Sequence, residues 1–121
     1  MATSSRYLLT PQQRLRTRVE FQRVQAQGNP FYSRYFTVLF YVEPGAFFSR
    51  LGILTSRRYG KASERSRIRR LIRETFRLYQ HAFNWPCDII VIPKSNAQKL
   101  KNDLLRDDLT NIWKKADFLK H

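Results

Sequence analysis

Residues 57–77 read Arg57-Arg58-Tyr59-Gly60-Lys61-Ala62-Ser63-Glu64-Arg65-Ser66-Arg67-Ile68-Arg69-Arg70-Leu71-Ile72-Arg73-Glu74-Thr75-Phe76-Arg77. Nine of these 21 side chains are Lys or Arg and two are acidic. The apolar residues still recur at helical spacing. Ile68, Leu71, Ile72, Thr75 and Tyr79 share one face of a wheel, and Ser66, Arg69, Arg70, Arg73 and Arg77 lie opposite. The pattern predicts a helix over 62–81 with one narrow oily stripe and one arginine face.

The stripe needs a surface to pack on, and the flanking sequence supplies it. Residues 50–56 before the helix and 88–93 after it read as strands, the second continuously apolar as if covered on both faces. Strand, long helix, strand implies a crossover connection. Further upstream, 35–42 is a strand whose Phe36, Val38, Phe40 and Val42 form an apolar face, while Tyr35, Thr37, Leu39 and Tyr41 form a half-wet one. The Glu43-Pro44-Gly45 turn joins 35–42 to 50–56 and suggests an antiparallel hairpin. Asn29-Pro30 reads as a break.

Thr17 and Glu20 form a capping box opening a helix over 18–27, stopped at Gly28. A last amphipathic helix over 102–116 carries Leu104, Leu105, Leu109, Ile112 and Trp113, with Asn102 as its cap. Residues 1–16 read as a loosely ordered basic extension, in which Thr10-Pro11 could start a helical turn. Residues 17–121 read as one domain. The expected fold is α+β: a small, mostly antiparallel sheet with packed helices, in the order helix, strands, helix, strand, helix.

The chain has 121 residues and a formal net charge of +14. Self-repulsion on that scale opposes folding, so a polyanionic partner is the simplest account of it. A lone Cys87 excludes an intrachain disulfide, and two histidines without a Cys/His cluster argue against a zinc site. No apolar run approaches the roughly 20 residues of a bilayer span, and Met1 to Leu9 lack a signal-peptide core. These features point to the cytoplasm.

A run of cations on a helix is most often a solvated face tied down by ion pairs. Here only Glu64 can reach Arg67, and Glu74 can reach Arg70 or Arg77. The other arginines have no local partner, and arginine suits multi-donor contact with phosphate. A helix-turn-helix needs two short helices and a tight turn, whereas strand-like sequence precedes this helix; no DNA is expected. A membrane-surface helix needs a broad stripe of Trp, Phe and Leu. Glu64 and Glu74 point to different sides, and Asp107-Asp108 reads as a solvated pair. Cys87 reads as a structural thiol. His81 suits a helix end.

The residues Gly60-Lys61-Ala62 followed by Arg65-Ser66-Arg67-Ile68-Arg69-Arg70-Leu71-Ile72-Arg73-Glu74 resemble the protein subunit of bacterial ribonuclease P. That family's hallmark is an Arg-Asn-Arg-x-Lys-Arg-x-x-Arg-Glu helix after a Gly-x-Ala turn. Ser66 stands for the Asn and Arg69 for the Lys. The arginine keeps the charge; the serine keeps a short polar group but loses the amide. The resemblance runs from Thr17 to Trp113 and includes Glu20-Phe21-Gln22-Arg23-Val24 and Asp88-Ile89-Ile90-Val91.

The resemblance implies a protein without catalytic side chains. A large RNA, using bound Mg²⁺ held by RNA and substrate, removes the 5′ leader of precursor tRNA. The implied partners are ribonuclease P RNA and precursor tRNA, and no membrane. Contact with the catalytic RNA is expected from Arg65, Arg67, Arg69, Arg70 and Arg73, then Ser66 and Lys61, then Arg57 and Arg58. A cleft for the single-stranded leader is expected from Phe21, Gln25, Tyr35, Thr37, Leu39 and Tyr41. Aromatic platforms with scattered cations suit a leader of variable sequence. Phe21 fits core packing equally well. The rival reading is a non-catalytic RNA-binding protein of the ribosome or another ribonucleoprotein. A single-chain nuclease is a third, and lacks a convincing carboxylate or His cluster.

Overall fold

The computed structural model describes residues 13–15, 17–42, 45–79 and 86–115. Its elements are α1 (Arg18–Gln27), β1 (Asn29–Tyr32), β2 (Phe36–Tyr41), β3 (Arg50–Ile53), α2 (Ala62–Tyr79), β4 (Asp88–Pro93) and α3 (Asn102–Lys115). Thr10-Pro11 and His81 lie outside the described residues. The fold is α+β, as expected.

The sheet has the order β1-β2-β4-β3. β4 runs antiparallel to β2 and parallel to β3, so α2 is the crossover between β3 and β4. The expected hairpin between β2 and β3 is therefore corrected: β4 lies between them. A buried, apolar β4 gains more at the centre, where both its faces are covered, than at an edge. β1 is a further correction. Asn29-Pro30 starts a strand, with Asn29 opposite Phe40 and Tyr32 opposite Thr37. Pro is tolerated there because β1 is an edge strand.

Alternation along the strands makes two cores. On one face Phe36, Val38 and Phe40 of β2, Leu51 of β3, and Ile89 and Val91 of β4 pack on α2 and α3. α2 contributes Ile68, Leu71, Ile72 and Phe76, and α3 contributes Leu105, Leu109, Ile112 and Trp113. Phe76 joins the expected stripe, and Tyr79 is only partly buried against it. The hydroxyl of buried Thr75 donates to the Leu71 carbonyl at 2.7 Å, satisfying itself within the helix. On the other face Val24, Leu15 and Ile90 form a smaller core, flanked by Phe21, Leu39, Tyr41, Leu54 and Ile92. Leu15 thus belongs to the packed domain, two residues before its expected boundary.

Two expected core residues are outside. Val42 follows the end of β2 and is exposed, and Leu104 faces solvent on α3. Nor is Asn102 a cap. The Lys101 carbonyl already accepts from Leu105 N, which puts Asn102 inside the helix. Asp108 is not a solvated carboxylate either. It accepts from Ser33 Oγ at 2.6 Å and from the Tyr35 amide at 3.0 Å, and so holds the β1–β2 turn against α3. The Thr17–Glu20 capping box is present in full.

Candidate nucleic-acid interface

Arg57–Tyr59 forms a 3-10 turn between β3 and α2. Tyr59 is its anchor: the ring is buried, and burial raises its hydroxyl pKa. With Tyr59 inside, Arg57 and Arg58 project to solvent. Gly60 has φ 155, which strains any residue carrying a Cβ, and so lets the chain turn into the helix. Lys61 follows, exposed.

On α2 three arginines are held by the protein itself. Arg65 Nη1 donates to the Gly60 carbonyl at 2.6 Å. Arg69 Nε donates to Thr55 Oγ1 at 2.9 Å. Arg67 Nη1 donates to Asn102 Oδ1 at 2.6 Å, and its Nη2 lies 3.5 Å from Glu64 Oε2. Arg67 therefore ties α2 to the start of α3. Ser66, Arg70 and Arg73 are exposed. Partial burial, then repulsion from Arg14, Arg69 and Arg70, lowers the Arg73 pKa against the opposing pull of Glu74. Among the described residues, Arg57, Arg58, Lys61, Arg65, Arg69, Arg70 and Arg73 form no carboxylate ion pair within 4 Å. The cationic face is ordered and uncompensated, the condition under which an external phosphate is favoured.

Two grooves flank α2. One, of about 400 Å³, is lined by Ser63, Ser66, Arg67, Arg70, Glu74 and Asn102. The other, of about 330 Å³, brings Arg69 and Arg73 together with Arg14, Phe21, Gly52 and Ile53. This second groove joins the two sites that the sequence reading kept apart, since Phe21 of α1 and the arginines of α2 share it. Gly52 makes that possible. A Cβ there would lie 2.7 Å from Phe21 Cε1 and Cζ, so only glycine lets the ring rest on β3.

Of the other expected cleft residues, Leu39 and Tyr41 lie with Phe21 around the smaller core, half-buried. Thr37 is half-buried on β2, and Gln25 is exposed on α1. Tyr35 is not brought to them. It precedes β2 and packs against the main core, because Asp108 holds its amide on the α3 side. Sequence reading also passed over Arg14, Gly52 and Ile53. A glycine inside a strand was the available signal for Gly52; nothing local marked the others.

Among the described residues no three His, Cys, Asp or Glu side chains converge as a metal site. Burial pushes the Cys87 thiol up to about 12, only partly offset by its contact with Ser49, so it is no nucleophile at neutral pH. Arg50 is fully engaged, bonding Asp88 at 2.8 and 2.6 Å and Glu20 at 2.7 Å. No helix of the described residues is long and apolar enough to cross a membrane.

An α+β domain with an uncompensated arginine helix beside an aromatic groove belongs with RNA-associated proteins in class, and comparison with known proteins narrows this. The family model described as Ribonuclease P matches residues 9–117. The ribonuclease P protein component of Dictyoglomus thermophilum is 37% identical, over 90% of this chain and 92% of that one. The Thermotoga maritima component is 36% identical, over 88% and 87%. Among solved structures, the RNase P protein of Staphylococcus aureus superposes with a TM-score of 0.83 at 29% identity, covering 89% of this chain and 98% of that one. That of Thermotoga maritima gives 0.76 at 35% identity, covering 84% and 96%. The chain belongs to the ribonuclease P protein family.

Proposed function

We propose that this chain is the protein subunit of a ribonucleoprotein that removes the 5′ leader of precursor tRNA in the cytoplasm. It binds ribonuclease P RNA through Arg57, Arg58, Lys61, Arg65, Ser66, Arg67, Arg69, Arg70 and Arg73. It holds the leader as a single strand across Phe21, Leu39 and Tyr41, with Thr37 and Gln25 beside them. The RNA carries the hydrolysis, with Mg²⁺ held by RNA and substrate. The protein's own residues bind and orient.

The observation that carries this reading is the set of cations around α2 without carboxylate partners, set on a helix that the sheet fixes in place. Counterions condensed on RNA are released when such a face docks, so binding should fall steeply with salt. Thr55, Gly60 and Asn102 fix three of the guanidinium groups before RNA arrives, which reduces the ordering entropy lost on docking. Beside them, the Phe21 ring and the Arg69 and Arg73 charges suit a leader read by base faces and phosphates rather than by base edges.

The test is reconstitution. The protein is mixed with bacterial ribonuclease P RNA at low Mg²⁺ and a precursor tRNA is supplied. Restored cleavage at the 5′ end of the mature tRNA is expected. No effect on cleavage would leave a ribosomal or other RNA-binding role instead. Cleavage by the protein without RNA, insensitive to ribonuclease pretreatment, would make it a nuclease in its own right.

A further inference from the structure

The loop between β2 and β3 exposes two adjacent aromatic rings that neither core uses. Phe47 is 94% exposed and Phe48 43%. They line a groove of about 310 Å³ with Ala46, Arg23 of α1 and Arg50 at the start of β3. Water contact with two phenyl rings is unfavourable, and here the rings share a groove with guanidinium groups instead of an apolar surface. Glu20 and Asp88 engage Arg50, so Arg23 sets the positive character of the groove. Apolar flat faces beside a cation match an unpaired nucleobase with its phosphate.

The position of this groove matters as much as its lining. Arg50 and Gly52 lie two residues apart on β3, with side-chain directions toward the same face, a separation of about 7 Å. Phe21 rests on Gly52, and Glu20, its neighbour on α1, reaches Arg50. The aromatic loop is thus the next station along β3 from the Phe21 groove, one step of an extended nucleotide strand away.

We propose that Phe47 and Phe48, with Arg23, form an additional stacking bay that takes one unpaired base of the leader beyond the part held at Phe21. This rests on the function proposed above. It predicts that the bay acts only on leaders long enough to reach it.

The test uses the reconstituted holoenzyme and precursor tRNAs with a short and a long leader. In Phe47→Ala the ratio of long-leader to short-leader affinity should fall about tenfold, the order of one lost base–aromatic stack. Phe47→Trp should restore the ratio. Because Phe47 is exposed, the thermal midpoint of the free protein should not move. An unchanged ratio in Phe47→Ala, with wild-type cleavage intact, overturns the bay and leaves the general function standing. Failure of the wild-type protein to support cleavage overturns the function itself. Self-association in sedimentation that Phe47→Ala abolishes, with no leader effect, overturns the bay in favour of a second copy of this chain.

Discussion

Arg50 and Arg73 are the same side chain in opposite surroundings. Arg50 sits at the base of the sheet, bonded to Glu20 and to Asp88, which is 2% exposed. Arg73 sits on the outer side of α2 without a carboxylate pair, among other cations that lower its pKa. With only nine acidic residues in the chain, their placement is informative. Glu20 and Asp88 close the sheet, and Asp108 holds the β1–β2 turn. Few remain near α2. Charge that serves the fold is neutralised internally; charge that serves a partner is left for the partner.

The comparison can be broken by experiment. Asp88→Ala should have the largest effect. It leaves the Arg50 guanidinium partly buried beside a missing carboxylate, which should cost about 3–5 kcal/mol of stability in denaturant unfolding. A loss within about 0.5 kcal/mol, the range of ordinary surface changes, would show that Arg50 is no structural charge.

Arg65→Ala with Arg69→Ala should weaken binding of ribonuclease P RNA at least about a hundredfold, as two charge-assisted contacts are lost. Filter binding across a salt series would measure it. Unaltered assembly would remove this face from the interface.

Gly52→Ala should cost about 1–3 kcal/mol through overpacking against Phe21. It should also shift the Phe21 ring resonances, which a silent substitution would not.

Arg73→Ala should change stability least, by no more than about 0.5 kcal/mol, and in the direction of a gain, because it relieves repulsion. The slope of log affinity against log salt should still fall by about one. If stability drops and the slope holds, Arg73 resembles Arg50 after all and the contrast between the two regions fails.

Much of this arrangement could be read in the chain because it is local. The 3.6-residue period placed α2, the Thr17–Glu20 pair placed the start of α1, and the unbroken Ile89-Ile90-Val91 run marked a strand covered on both faces. The arginine face followed from the same period. What escaped depends on partners distant in sequence. Nothing near Asp108 shows that its oxygens meet residues 73 and 75 positions away. Strand content in 35–42 and 50–56 does not reveal that a third strand comes between them. Tyr35 obeys the alternation of β2 on paper, but the bond from its amide to Asp108 draws it toward α3. The shared groove was illegible for the same reason: Phe21 and Arg73 meet only once α1 and α2 are both laid on β3.

The central place of β4 sets an order on biosynthesis. β2 and β3 leave the ribosome early, yet neither can hydrogen-bond its neighbour until residues 88–93 have emerged. During that interval the arginine helix has no surface to rest its oily side on, and the nascent chain exposes apolar and cationic groups together in a compartment crowded with polyanions. Vectorial synthesis thus makes the last third of the chain the switch that converts a sticky polycation into a docked, directional one.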